Sequence, residues 1–345
     1  MQAAVLHEFG PTLSVEEVPR PVPGPDDVLI EVEVCGVCHS DLHVAEGDQP
    51  ALKGATKANL IPGHEVVGRV VERGANVTHL AVGDRVGVAW NYSTCGTCEA
   101  CREGMENLCR KAVITGVMVD GGYADYMVAR ASHALPIPEN LSSDEAAPLF
   151  CAGLTVYRAL KRSGVTARQK VAIFGVGGLG HLAVQIARAW GAEVIALDLD
   201  PAKLALAKEL GAAQTLNAGS ADDIKALRKA GGVHVAVVTS AAKAAYDTAL
   251  KCLRPDGVLS VVGLPSEPLT FPALTLVGIE ARIIASSVGT RDDMRAVLKM
   301  ASEGQLRCIT ETQPLAEVNA VFERMRRGQI SGRVVLRCCG GQHAH

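Results

Sequence analysis

Val171-Ala172-Ile173-Phe174-Gly175-Val176-Gly177-Gly178-Leu179-Gly180 decides the fold. An apolar run ends in G-x-G-x-x-G and an amphipathic segment follows, which sets the glycines between a strand and a helix. Gly175 allows the tight turn, Gly177 lets backbone approach a pyrophosphate, and Gly180 lets helix pack closely on strand, with phosphates facing the helix N-terminus. Alone, such a loop is an ordinary βα connection. The next βα unit ends in Ile195-Ala196-Leu197-Asp198, placing a carboxylate at a strand tip where a ribose 2′-hydroxyl needs an acceptor. Loop and acid together indicate a dinucleotide, and Asp198 favours NAD over NADP because its charge repels a 2′-phosphate and no Arg follows closely. Asp200 reads as the N-cap of the helix opening at Pro201.

Outward from this unit, apolar runs alternate with amphipathic segments. Strands are expected at Val171–Val176, Glu193–Leu197, Gln214–Leu216, Val233–Thr239, Val258–Gly263 and Arg282–Ser286, with helices around 179–190, 201–210, 221–230 and 242–253. This is α/β grammar: a doubly wound, six-stranded parallel (Rossmann) sheet. From the start to about Ala147 the chain instead shows short β-runs, such as Val28–Val34 and Val66–Val71, separated by Gly, Pro and Asp-rich turns. With 345 residues, two domains are expected. Apolar residues make up 48% and aromatics 3%, so the core is built mainly from Val, Ala, Leu and Ile. A net charge of -3 without a basic run gives no electrostatic reason to expect nucleic acid or a membrane surface as partner. The N-terminal residues lack an export signal and no apolar run reaches spanning length, so a cytoplasmic location is expected. The tail after Arg337 carries no core-forming pattern and is expected to fray.

Eleven cysteines in such a chain suggest bound metal rather than disulfides. Cys95-x2-Cys98-x2-Cys101-x7-Cys109 brings four thiols into one short, turn-rich segment. Four thiolates complete a tetrahedral Zn²⁺ and leave no open position, which makes this set structural. A second group is scattered: Cys38 and His39 within Cys35–His43, then Gly63-His64-Glu65, then Cys151. Taken singly, each is as readily a core thiol or a satisfied histidine.

These segments, in order, resemble the zinc-containing medium-chain alcohol dehydrogenase family, particularly its yeast and bacterial tetrameric branch. The likeness runs through Cys35–His43, Gly63-His64-Glu65, the four-cysteine lobe, Gly121-Gly122-Tyr123-Ala124, Cys151–Tyr157, the glycine loop, Ser287–Arg291 and Gly332–Val335. It implies a β-rich GroES-like catalytic domain from 1–150 and 287–345, with the structural zinc lobe at about 90–112, and an NAD-binding Rossmann domain over 151–286. By motif match Cys38, His64 and Cys151 hold a catalytic zinc, giving two Zn per chain. Glu65 sits beside it, and Asp41 orients the ligand histidine. Ser40 matches the hydroxyl that takes the alcohol proton, and His43 passes it to solvent. Cofactor contacts fall to His39, Thr155, Gly175, Gly177, Gly178, Gly180, Asp198, Lys203 and Arg333, the last near the pyrophosphate. Ser287–Arg291 is left between the cofactor site and a subunit interface, and Cys35 outside the ligand set. The implied reaction moves a hydride between a primary alcohol or aldehyde and NAD, in a homotetramer. Related polyol, cinnamyl-type or secondary alcohol dehydrogenases are the alternatives, as is a non-catalytic zinc and cofactor binder. Gly47-Asp48-Gln49 lacks the aromatic of short-chain members and Pro50–Pro62 is slightly long, which points to a roomier pocket for longer or aromatic alcohols.

Overall fold

The computed structural model describes residues 1–338. The chain divides into two compact units: one holds Met1–Cys151, Thr290–Ser302 and the residues from Cys308 onward, the other Ala152–Gly289 with Glu303–Arg307.

In the second unit six strands lie in the order Gln214–Asn217, Glu193–Asp198, Lys170–Phe174, Val233–Val238, Leu253–Val261, Arg282–Ala285. All pairings are parallel. Lys170–Phe174 pairs on one side with Glu193–Asp198 and on the other with Val233–Val238, so the direction of winding reverses at its carboxyl end. Crevices open at such a switch point, and the glycine loop leaves from it. Val171, Ala172, Ile173 and Phe174 are buried, as sheets covered on both faces demand. The expected helices appear at Gly180–Ala189, Pro201–Glu209, Ala221–Lys229 and Lys243–Cys252. Asp200 caps the second, its carboxylate accepting the Ala202 N–H at 2.9 Å. The fifth strand begins at Leu253, ahead of the expected Val258. Arg254-Pro255-Asp256-Gly257 carries turn residues, Asp256 takes a φ of 58°, and the register against Val233–Val238 shifts across them, from Val233 opposite Leu253 to Val235 opposite Val258, before the regular ladder resumes.

In the first unit the main sheet runs Thr310–Pro314, Arg333–Arg337, Asp27–Gly36, Glu65–Arg73, Arg85–Val88, Ala134–Pro136, with Tyr126–Arg130 also pairing Asp27–Gly36. Arg333–Arg337 inserts antiparallel beside Asp27–Gly36, Leu336 opposite Cys35. The core here is Val- and Ala-rich, with Tyr123 and Phe322 as its large fillers. The fraying expected after Arg337 is corrected at its first residue. Cys338 is buried, and its backbone N–H bonds to Glu33 O at 3.3 Å, which extends the pairing. The remainder of that tail lies outside the described residues.

Candidate active site and zinc lobe

Three separate elements meet at one buried cluster in the first unit. Cys38 follows the Asp27–Gly36 strand and caps the His39–Glu46 helix; its backbone N–H bonds Asp41 Oδ2 at 3.0 Å, the reciprocal half of a capping box. His64 precedes the Glu65–Arg73 strand, and Cys151 follows the Ala147–Phe150 turn. One ligand atom from each of Cys38, His64, Glu65 and Cys151 lies within 4.8 Å of all the others. His64 Nδ1 is held by Asp41 Oδ1 at 2.8 Å. Nε2, although buried, has no hydrogen-bond partner. A buried polar atom left bare is costly unless something absent from the polypeptide satisfies it. Two sulfurs, an imidazole nitrogen and a nearby carboxylate are the donor set of a four-coordinate zinc with one exchangeable position.

The charges agree. A hydrogen bond from Cys151, with His64 and Arg333 nearby, holds the Cys38 thiol well below its ordinary range, while the same contact and burial push Cys151 up. Glu65 is fully buried; burial pushes its carboxyl up to about 7 against the opposing pull of Arg333. Arg333 donates to Glu65 and, at 2.9 Å, to Val37 O. The guanidinium expected at a pyrophosphate is therefore already engaged with the carboxylate beside the metal set. Trp90 stands edge-on to His64 at 4.8 Å. Ser40 and His43 lie along the His39–Glu46 helix, half-buried, with His39 exposed at its start. His43 Nδ1 meets Asp48 Oδ2 at 2.8 Å, a partner that sequence reading missed. Cys35 is buried outside the donor set, and burial pushes its thiol well up.

Cys95, Cys98, Cys101 and Cys109 also converge within 4.8 Å. Backbone N–H groups turn toward the sulfurs, Cys98 N to Cys95 Sγ at 3.3 Å and Cys95 N to Cys109 Sγ at 3.5 Å. Backbone hydrogen bonds from Thr97 and Cys98 draw the Cys95 thiol down to about 5, while burial and the neighbouring thiols push Cys101 up to about 12. One anion crowded by further thiols is relieved by a cation. Cys35, Cys38, Cys95, Cys98, Cys101, Cys109, Cys151 and Cys252 are free of disulfides.

The lobe is fastened to the rest of its unit by Glu106. Its carboxylate accepts the Arg291 backbone N–H at 2.9 Å and Nε at 3.3 Å, and Arg291 also reaches Ser132 O at 2.9 Å. Beside it, His133 is buried between Thr94 Oγ1 and Ser132 Oγ, at 3.2 and 3.0 Å. Burial, then the Arg291 charge, pushes its pKa down to about 4. The folded chain thus keeps this imidazole neutral while an unfolded chain would protonate it near pH 6.5. Its contribution is full above that pH and is lost as pH falls toward 4, by about 3 kcal/mol in total. His133→Gln is expected to flatten the acid limb of stability, read as the difference between urea midpoints at pH 7 and pH 4.5. An unchanged difference would remove His133 from that account.

In the second unit the glycine loop behaves as its spacing requires. A Cβ on Gly180 would lie 1.8 Å from Gly175 O, whereas one on Gly177 would meet nothing within 4 Å. The loop's helix is pressed onto the strand at Gly180 and open at Gly177. Asp198 Oδ2 accepts the Val176 N–H at 2.7 Å, and Oδ1 accepts Leu199 N and Asp200 N at 2.8 and 3.0 Å. The acid at the strand tip therefore also braces the loop. Thr239, which sequence reading missed, donates to Gly175 O at 2.7 Å. Gly178 lies within the loop, Thr155 is half-buried in the Ala152–Arg162 helix, and Lys203 half-buried in the first turn after Pro201.

A doubly wound unit with this loop, joined in one chain to a β-rich unit with one open and one closed donor set, defines a class: metal-assisted dehydrogenases. Family comparison agrees. Residues 178–303 match the zinc-binding dehydrogenase family and 24–139 the alcohol dehydrogenase GroES-like domain. An alcohol dehydrogenase of Geobacillus stearothermophilus is 49% identical over 98% of this chain and 99% of its own. Among solved structures, a cinnamyl alcohol dehydrogenase of Sorghum bicolor superposes with a TM-score of 0.90 at 32% identity, covering 100% of this chain and 99% of that one. Acetophenone reductase from Geotrichum candidum in complex with NAD gives 0.88 at 33% identity, covering 97% and 96%. The chain belongs to the zinc-containing medium-chain alcohol dehydrogenase family and is a zinc-dependent alcohol oxidoreductase.

Proposed function

We propose that this enzyme oxidises primary alcohols, aromatic and longer ones included, with NAD, and runs in reverse on aldehydes. The observation that carries this is the buried, partnerless His64 Nε2 set among Cys38, Cys151 and Glu65. Those residues would hold a zinc ion with a position open to substrate, and Cys95, Cys98, Cys101 and Cys109 a second, closed one. Zinc supplies Lewis acidity to the substrate oxygen, and the nicotinamide of NAD accepts the hydride.

The chain's own residues do the rest. Asp41 fixes the His64 ring by accepting a hydrogen bond from its Nδ1–H. Ser40 would accept the alcohol proton while passing its own, by way of the cofactor ribose, to His43, which is backed by Asp48 and would release a proton to solvent. Gly175, Gly177, Gly178 and Gly180 admit the pyrophosphate, Asp198 holds the adenosine ribose, Lys203, Thr155 and His39 add cofactor contacts, and Arg333, whose bonds to Glu65 and Val37 O run through Nη2 alone, keeps its remaining donors for the pyrophosphate. The residues 1–150 and 287–345 form the catalytic domain on this reading, and 151–286 the cofactor domain. Gln49, at the start of the Pro50–Lys53 turn, stands where an aromatic would narrow the pocket. Similarity to a cinnamyl alcohol dehydrogenase and an acetophenone reductase supports room for a ring.

The assembly is a homotetramer on this reading. Arg282–Ala285 is the outer strand of its sheet, and Leu274 and Val277 on the neighbouring Ala273–Ile279 helix are 85% and 74% exposed, an apolar edge suited to a second copy. No helix among the described residues is long and apolar enough to cross a membrane, and free thiols around metal sets suit the cytoplasm.

The test is zinc content of the purified protein together with NADH absorbance over a panel of primary, secondary and aromatic alcohols. Two zincs per chain and turnover on aromatic primary alcohols are expected. Turnover confined to ethanol would overturn the roomy pocket, and one zinc without turnover would overturn the catalytic reading.

A further inference from the structure

The Asp41 carboxylate is nine-tenths buried or more, at 1% exposure, and faces three donors. His64 Nδ1 lies 2.8 Å from Oδ1, the Cys38 backbone N–H 3.0 Å from Oδ2, and the Tyr123 hydroxyl 2.9 Å from Oδ2. Two of these donors belong to members of the metal set. The third arrives from 82 residues along the chain and belongs to a residue outside that set. Asp41 thus ties Cys38 to His64, and Tyr123 is what holds the tie.

Tyr123 is placed for this with little freedom. Its segment lies along the residues that lead into His64: Gly121 N bonds Ile61 O at 2.7 Å, Gly122 N bonds Gly63 O at 2.9 Å, and Tyr123 N bonds Pro62 O at 3.0 Å. Tyr123 O accepts the Ala4 N–H at 2.8 Å from the other side. The ring is fully buried, tilted against Phe322 at 6.4 Å, and lies over Gly63. Gly63 has a φ of 97°, and a Cβ there would come within 2.5 Å of the ring. The hydroxyl therefore reaches Asp41 from a fixed direction, through the backbone that also presents His64.

We propose that Tyr123 is a positioning residue of the catalytic centre: its hydroxyl fixes the Asp41 carboxylate, which sets the His64 ring and so the hold of the site on its metal. This rests on the zinc reading above. An O–H donor to a buried carboxylate makes a charge-assisted hydrogen bond. Without it Oδ2 keeps one backbone donor, and the carboxylate gains freedom to turn away from His64. Groups that orient a metal-bound histidine typically change metal affinity by about 10- to 100-fold when removed. A tyrosine that only fills the core would show no such link.

Tyr123→Phe keeps the ring and removes the hydroxyl. Zinc release from the holoenzyme to a chromophoric chelator should show two kinetic classes, the one lost in Cys38→Ala being the catalytic ion. In Tyr123→Phe that class is expected to leave about tenfold faster or more, with release from the four-cysteine lobe unchanged. Because Tyr123 acts through Asp41, adding Tyr123→Phe to Asp41→Asn should change release by less than about twofold. A wild-type release rate in Tyr123→Phe overturns the proposal, as does an equal acceleration in both backgrounds, which would mark general loosening of the core. If the wild type releases a single class that Cys38→Ala leaves intact, the zinc reading itself falls and the proposal with it, a result distinct from either of the others.

Discussion

Cys38→Ala is expected to cost the protein one of two zinc ions and to lower alcohol turnover by about a thousandfold or more, with the other zinc retained. The size follows from what the thiolate does. Cys38 is one of only two sulfurs in the donor set, and without it a zinc ion would keep His64, Cys151 and a carboxylate already engaged by Arg333. Lewis-acid activation is worth several kcal/mol, and about 4 kcal/mol is a thousandfold in rate. The thiol's other duty is slight: its sulfur accepts the Ser40 N–H at 3.5 Å as a helix cap. The folded chain should therefore survive. Metal analysis and NADH-linked rates check this, and turnover within tenfold of the parent would remove Cys38 from the catalytic set.

The second large effect is on stability. Arg333→Met is expected to cost about 3–5 kcal/mol near pH 8, because it leaves the Glu65 carboxylate buried without its cation. Both side chains are almost completely enclosed, at 5% and 0% exposure. Glu65 has a way out: its carboxyl, already near 7, takes a proton more readily once the guanidinium is gone. In an acid whose folded pKa is raised, stability is highest when the group is protonated and declines as pH rises through the interval between unfolded and folded values. The penalty of Arg333→Met should therefore shrink from pH 8 to pH 6. Glu65→Gln combined with Arg333→Met should recover most of it at pH 8, since removing both charges removes the unpaired one. Urea unfolding of the three variants at the two pH values decides the matter; a penalty independent of pH would show that lost packing, rather than charge, is responsible.

The parts legible in the sequence are those where chemistry forces a local spacing. Gly175, Gly177 and Gly180 must stand at fixed offsets because a strand must turn and a helix must touch it, and the closing contact at Gly180 shows that constraint. The four thiols of the lobe lie within one short segment for the same reason, and the structure gathers them. What could not be read depends on partners far along the chain. Arg333–Arg337 is a central strand only because Leu336 faces Cys35, which no local pattern signals. Leu253–Val261 was obscured at its start by Pro255-Asp256-Gly257, turn residues that mark a shift of register, and the pairing of Leu253 ahead of it is set by Val233 on the neighbouring strand. Asp41 was assigned to the ligand histidine by resemblance, but Tyr123 looks like an ordinary aromatic of a glycine-rich segment, and the bond between them exists only after folding has joined them. Arg333 was assigned to a pyrophosphate by resemblance; its bond to Glu65 was visible only in three dimensions.

The insertion of Arg333–Arg337 beside Asp27–Gly36 also orders events during synthesis. The dinucleotide unit is nearly contiguous, Ala152–Gly289 with a short return at Glu303–Arg307, so it can condense on the ribosome as soon as that span emerges, domains generally folding as units. The metal-binding unit must wait: its sheet lacks a central member, and Glu65 lacks its counter-charge, until a partner some 300 residues downstream is made. During that interval Cys38, His64 and Cys151 are already outside the ribosome while the sheet that frames them is open on one side. Metal acquired then is bound by a half-built site, and its retention depends on the last strand closing.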